Sequence, residues 1–255
     1  LVARKVAAIA TAYPDVKRLK KRHADKTYLV GNPVREAVLD LREEPFPVFS
    51  DESVLRLLVT GGSQGASILS QVVPAGLGML PISLRRRLQV TQQCRPEDIE
   101  QVRALYAEME IPADLATYIE DMPTKLAWSH LVIGRAGAST IAELTAAGRP
   151  AILIPLPSAM DNHQAYNVIE MVKAGGARAI DQKNFTPAEL ARQMQKLAME
   201  PGALQNAAKR ARNCGRPDAV KDLCDLIESF GPSPQTIDTV RVEAPAIPGL
   251  AGAGA

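Results

Sequence analysis

The chain has 255 residues, 46% of them hydrophobic, and a formal net charge of +2. That is ample material for one large or two small domains, while so small a charge gives no argument for a nucleic-acid partner. Cys94, Cys214 and Cys224 are odd in number and form no CxxC pair, which argues against a disulfide framework or a zinc site and fits a reducing compartment; no apolar run reaches membrane-spanning length.

Val6 to Tyr13 (VAAIATAY) reads as a strand ending at Pro14, and a basic stretch follows from Lys17 to His23. Without interleaved aromatics that stretch reads as a solvated face before a nucleic-acid patch, with an anionic lipid surface as a second option. Thr27 to Val30 is another short strand. In Gly31-Asn32-Pro33-Val34-Arg35, the proline keeps Asn32 extended, so a helix can begin at Val34 and run to Leu41. Residues 43–53, acidic and proline-rich, form a loop. Val54 to Thr60 is an apolar strand, and Gly61-Gly62-Ser63-Gln64-Gly65-Ala66 is the turn that opens its helix. This turn lacks both the Gly-Lys-Ser/Thr ending of a P-loop and the glycine spacing of a dinucleotide fingerprint.

Leu84 to Thr91 reads as the next strand, and Ile99, Val102, Leu105, Tyr106 and Met109 recur with helical spacing. Thr117 to Ile119 is a short strand. The adjacent acids Glu120 and Asp121 read as solvated loop residues rather than a metal or acid–base pair. Leu126 to Trp128 begins a short helix.

The most informative stretch is residues 131–154. Leu131-Val132-Ile133 is a strand, Gly134 to Ala138 turns the chain, and Thr140 and Glu143 have capping-box spacing, placing the helix start near Ser139 or Thr140. Gly148 supplies a left-handed cap, Pro150 stops the helix, and Ala151 to Ile154 is a fully apolar strand. This is a βαβ unit whose helix N-terminus points beyond the carboxyl ends of the strands, a place that suits phosphates. Capping and ligand recognition compete for Thr140 and Glu143, and the pattern alone does not choose between them.

Further on, Asp161 reads as the N-cap of a helix that Gly175-Gly176 ends, and Ala177 to Ile180 is a last strand. Pro187 to Leu197 and Ala203 to Arg212 are helical. Asp218 to Phe230 carries Val220, Leu223, Cys224, Ile227 and Phe230 along one apolar face. From Gly231 onward proline, glycine and alanine dominate without periodicity, as in a disordered tail.

GNPVR, GGSQGA and GRAGASTIAELTAAGRPAILIPLP followed by DNHQAYN closely resemble the donor-site segments of the MurG family of bacterial cell-wall N-acetylglucosaminyltransferases. The resemblance runs from about residue 5 to residue 229 and is specific because several motifs occur together. It implies the two-domain GT-B fold. The implied reaction is transfer of N-acetylglucosamine from UDP-N-acetylglucosamine to undecaprenyl-diphospho-muramoyl-pentapeptide, converting lipid I to lipid II. It also implies peripheral attachment to the cytoplasmic face of the inner membrane, an anionic surface met through the N-terminal domain. No cofactor, metal or nucleic acid is implied.

Residue by residue, the resemblance gives Arg35 the donor's diphosphate and Ser63 a hydrogen bond to the donor. It gives the backbone of Ile119 the uracil, with Tyr118 packing nearby. The stretch Ala138, Ser139, Thr140, Ile141, Ala142 and Glu143 falls to the donor, with the Glu143 carboxylate on the ribose hydroxyls. His163 and Gln164 stand where the family has sugar-contacting residues, often a glutamine pair, so His163 is a departure.

The expected architecture is α/β, a doubly wound parallel sheet of GT-B type. Residues 1–30 would be a remnant of an N-terminal acceptor domain, 31–215 the UDP-sugar-binding domain, 216–230 a C-terminal helix and 231–255 a disordered tail. The chain starts at Leu1 within an element, which reads as a fragment. Nothing matches the GGTGGH-like loop of the family's N-terminal domain, so no catalytic base is assigned. Two alternatives stand beside the enzyme: a UDP-sugar-binding module without chemistry of its own, and a UDP-sugar epimerase of similar fold. The latter would demand acid–base carboxylates and histidines that no position here supplies.

Overall fold

The computed structural model describes residues 2–14, 16, 19–50, 52–62, 65–157, 163–200 and 202–231, with Val2, His163 and Met199 described by their backbone alone. Two three-residue strands come first, β1 (Ile9–Thr11) and β2 (Thr27–Leu29), paired in parallel as a small sheet of their own. Helix α1 (Glu36–Leu39) and a 3-10 turn (Asp40–Arg42) lead into the main domain. One half of it contains β3 (Leu55–Thr60), α2 (Ser67–Gly78), α3 (Ile82–Arg85), β4 (Leu88–Gln93), α4 (Ile99–Glu108) and β5 (Ala113–Ala116). The other contains α5 (Met122–Trp128), β6 (Leu131–Arg135), α6 (Ala138–Ala147), β7 (Ala151–Ile154), α7 (His163–Asn167), α8 (Ile169–Ala174) and β8 (Ala177–Ala179). Helices α9 (Pro187–Met199), α10 (Ala203–Cys214) and α11 (Ala219–Glu228) follow.

The six strands are ordered β5-β4-β3-β6-β7-β8, and every neighbouring pair is parallel. The chain therefore winds outward from β3 in one direction and from β6 in the other. A crevice forms beyond the carboxyl ends of the strands where the winding reverses, between β3 and β6. Leu57 faces Leu131 there and Thr60 faces Gly134. Alternation along β3 sends Leu55, Leu57 and Val59 into one core with Leu69, Leu77, Tyr106 and Leu190, and Leu58 into a second core with Val132, Ile141, Leu144 and Met171. Burial on both faces is what makes Leu131–Ile133 in β6 and all of β7 read as apolar runs. Each fully buried leucine contributes roughly 1.5–3 kcal/mol.

A polar cluster locks the amino end of this half-sheet. Arg149, fully buried, donates from Nε to Leu126 O at 2.6 Å, from Nη2 to Ala127 O at 3.3 Å and from Nη1 to Ala147 O at 3.1 Å. One guanidinium thus caps the carbonyl ends of both α5 and α6, and its face lies over Phe46 at 5.6 Å. His130, also fully buried, accepts the Arg56 N–H at Nδ1 (3.0 Å), so its proton sits on Nε2 and is donated to Val48 O at 3.2 Å. Desolvation pushes the His130 pKa down to about 4 and that of Arg149 down to about 10.

Several elements differ from their sequence expectations. The first strand is confined to Ile9–Thr11, and the helix after GNPVR starts at Glu36 rather than Val34. Leu84 lies in a short helix and the strand begins at Leu88, because Pro81 opens α3 first. The strand expected at Thr117–Ile119 lies at Ala113–Ala116, where pairing with β4 outweighs the weak strand propensity of Ala-Asp-Leu-Ala. Leu126–Trp128 ends α5 rather than beginning it, since Asp121 caps the helix by accepting the Thr124 N–H at 3.1 Å. Asp161 and the tail beyond Gly231 lie outside the described residues. On α11, Ala219 is buried whereas Val220 and Ile227 are exposed, as is Phe230 just past its end.

Candidate functional site

Two adjoining cavities occupy the crevice at the switch point. The first, about 410 Å³, is lined by Arg35, Thr60, Gln93, Ile119, Thr140 and Glu143 among others. The second, about 750 Å³, is lined by Gly65, Arg95, Arg135, Ala138, Gln164 and Gln182 among others. They share Gly62, Ser139 and Thr140, so one trough runs across the start of α6.

Glycine shapes both turns that floor the trough. Gly62 has φ of +77° and Gly65 +65°, the left-handed region that favours glycine. A Cβ on Gly61 would lie 2.5 Å from the Ala66 nitrogen, so this turn closes too tightly for any side chain. The second turn ends at Gly137, the N-cap of α6, and no side chain caps the helix. This corrects the capping-box expectation: the helix starts at Ala138, and Glu143 does not reach back to Thr140. Instead its Oε1 accepts from Arg35 Nη2 at 2.8 Å, joining the GNPVR segment to α6. The first-turn N–H groups are thereby left facing the trough with the positive end of the helix dipole.

Other side chains hold the rim. Gln164 Oε1 accepts from Leu156 N at 3.0 Å and from Ala136 N at 3.3 Å, and Asn167 Nδ2 donates to Ala136 O at 3.1 Å. Helix α7 thus fixes the loops after β6 and β7. Arg135 donates to Ile154 O at 3.2 Å, and burial lowers its pKa. Arg95 stands opposite, 3.6 Å from the Glu97 carboxylate. Hydrogen bonds from Thr124, side chain before backbone, hold the Asp121 carboxyl below its usual range, in keeping with its capping role.

Of the residues singled out from sequence, Arg35, Ile119, Ser139, Thr140 and Glu143 meet in the first cavity, and Ala138 and Gln164 in the second. Ile141 and Ala142 instead line a separate space of about 40 Å³ behind α6, with Tyr13, Asn32 and Glu170. Tyr118 is exposed at the rim of the first cavity. His163 opens α7, and Ser63 lies outside the described residues. Thr60, Gln93, Arg95 and Arg135 also line the trough; the first three lie outside the motifs, and Arg135, within GRAGAST, has no role assigned from sequence. A signal for the two arginines does exist: each lies at, or just past, the carboxyl end of a parallel strand. Glu143 is the one carboxylate among the described lining residues of the two cavities, and it is engaged by Arg35. Among the described lining residues, cationic side chains thus stand beside a partly apolar wall, with no pair of acids.

A doubly wound parallel sheet with an uncapped helix and cationic side chains at its switch point has the architecture of one domain of a GT-B glycosyltransferase. Residues 56–223 match the glycosyltransferase family 28 C-terminal domain, and the chain belongs to that family. It is 66% identical over 230 residues to the UDP-N-acetylglucosamine–N-acetylmuramyl-(pentapeptide) pyrophosphoryl-undecaprenol N-acetylglucosamine transferase of Zymomonas mobilis, covering 90% of this chain and 59% of that protein. The protein of the same name from Novosphingobium aromaticivorans is 65% identical over 244 residues, covering 96% of this chain and 63% of its own. The chain thus spans about three fifths of the length of these relatives. The crystal structure of Acinetobacter baumannii MurG superposes with a TM-score of 0.73 at 28% identity, covering 90% of this chain and 63% of that one.

Proposed function

We propose that this chain supplies the UDP-N-acetylglucosamine-binding half of the transferase that adds N-acetylglucosamine to undecaprenyl-diphospho-muramoyl-pentapeptide. The observation that carries the reading is the meeting of Arg35, Ile119, Ser139, Thr140 and Glu143 in one cavity at the switch point, in a chain 66% identical to a protein so named. In this reading the diphosphate lies against the first turn of α6, neutralised by Arg35. The uracil meets the backbone at Ile119, and Ser63 adds a hydrogen bond to the donor. The Glu143 carboxylate accepts from the ribose hydroxyls, while the sugar falls to Gln164 and His163.

Residues 31–215 form the donor domain in this proposal, and residues 1–30 belong with an acceptor domain. The lipid-linked acceptor, the proton acceptor for the reaction and the contact with an anionic membrane surface fall to that other domain. The working location is then the cytoplasmic face of the inner membrane, held peripherally; no helix of the described residues is long and apolar enough to cross a membrane.

The Arg35–Glu143 pair supplies the test. With side chains 55% and 23% exposed it contributes little to stability. Glu143→Gln should therefore leave the melting temperature nearly unchanged. An amide has no charge and turns an N–H₂ group toward the ribose where the carboxylate presents its second acceptor oxygen, so UDP binding should weaken about tenfold or more. Calorimetric titration and a melting curve on one preparation check it. A variant that binds UDP as tightly as the parent chain would remove Glu143 from the donor site.

A further inference from the structure

We infer that Gln93 is a positioning residue that sets nucleobase preference by holding the loop after β5; this inference rests on the donor-site reading above. Gln93 ends β4 and Thr60 ends β3, and both are buried, at 6% and 7% exposure. Gly62 donates its backbone N–H to Thr60 Oγ1 at 3.3 Å. The Thr60 hydroxyl donates to Gln93 Oε1 at 3.0 Å, and Gln93 Nε2 donates to Thr117 O at 3.3 Å. A hydroxyl has one proton to give, and here it goes to Oε1, which forces the amide's N–H side toward Thr117. The chain of bonds thus has one direction, from the glycine turn after β3, across the end of β4, to the loop after β5.

That loop carries Tyr118 and Ile119. Tyr118 is 68% exposed and cannot anchor it, whereas the Ile119 side chain is buried. A backbone can tell uracil from adenine only if its N–H and C=O meet the N3–H and O4 edge in fixed directions. Those directions are set by the peptide planes on either side of Ile119. Gln93 holds the plane that leads into them, between residues 117 and 118, through the Thr117 carbonyl, and holds it relative to the turn at Gly62. The phosphate side and the base side of the trough are therefore linked through one buried amide, in surroundings of low dielectric where such chains strengthen one another.

Gln93→Met tests this with little change of volume and no added charge. It removes the amide that links the Thr60 hydroxyl to the Thr117 carbonyl. In the 255-residue chain, calorimetry with UDP, ADP and inorganic pyrophosphate should show UDP affinity falling about tenfold, the scale of one lost buried hydrogen bond. ADP and pyrophosphate affinities should hold, so the UDP-to-ADP preference collapses. Thr60→Val, which removes only the upstream anchor, should lower the same ratio by a smaller factor and guards against a folding failure in the first variant. Variants that melt earlier yet keep the parent UDP-to-ADP ratio would overturn the inference and leave Gln93 a structural residue. A parent chain with no preference for UDP over ADP would overturn the donor-site reading itself, visibly and before any substitution.

Discussion

The two ends of α6 meet opposite environments. At its start Gly137 offers no side chain, and the open N–H groups face a trough lined by Arg35, Arg95 and Arg135. At its end Gly148 takes the left-handed cap with φ of +62°, and Arg149 donates to the carbonyls of Ala147 and of the neighbouring α5. Arginine serves both ends. Arg35 is 55% exposed in its side chain and pairs with a carboxylate, while Arg149 is fully buried and pairs with carbonyls. Stability is concentrated at the closed end, and the proposed function gives the uncapped open end to the ligand. The division predicts that substitutions at one end move melting and at the other move binding.

The largest effect is expected at the closed end. Arg149→Met removes the charge and leaves the carbonyls of Ala127 and Ala147 without their guanidinium donor, while Leu126 O keeps the Ser129 N–H and hydroxyl, a loss of roughly 2–5 kcal/mol. Urea denaturation should show it, while UDP affinity measured well below the melting point should stay within about twofold of the parent. Binding that fails in a still-folded protein would mean the two ends are coupled rather than separate.

Acid should act next, through His130 in the same closed cluster. Its folded pKa of about 4 lies below the 6.5 of a free imidazole, so the unfolded chain binds more protons between these values. The stabilisation is complete above pH 6.5 and is lost as pH falls toward 4, by up to about 3 kcal/mol. The difference in urea midpoint between the parent and His130→Gln should therefore shrink on acidification. A difference that stays constant over this range would show that the imidazole does not stay neutral.

The smallest stability change, with the opposite sign for binding, is expected at the open end. The backbone of Gly137 is extended (φ −62°, ψ 149°) and a Cβ there would meet only the Thr140 hydroxyl, at 3.5 Å. Gly137→Asp should fit and cap the helix, raising stability by roughly a few tenths of a kcal/mol. The same carboxylate would occupy the anion position, so UDP binding should fall sharply. A Gly137→Asp variant that melts higher and still binds UDP would place the diphosphate elsewhere.

This contrast is only half legible in the sequence. Gly148 and Pro150 announce the helix stop, and glycine turns after apolar strands announce the open end. The spacing of Thr140 and Glu143 suggests a capping box, but nothing local reveals that Arg35, from a distant segment, holds the carboxylate instead. Arg149 and His130 carry no signal of their role, because a charged or polar side chain shows nothing of its burial until α5, α6 and Phe46 close around it. The strand at Ala113–Ala116 is hidden for a similar reason: its residues favour no strand, and β4 supplies the pairing.

The parallel pairing of Thr60 with Gly134 has a kinetic side. These residues lie far apart along the chain, and α2, α3, β4, α4, β5 and α5 intervene between them. Contacts of such sequence separation form late and slow folding. The trough cannot exist until this long-range pairing has closed, so a nucleotide has no partner in the earlier, partly ordered states. A ligand at about 100 times its dissociation constant would then add about 2.7 kcal/mol to the native state alone. It would act by slowing escape from the folded basin rather than by speeding arrival there.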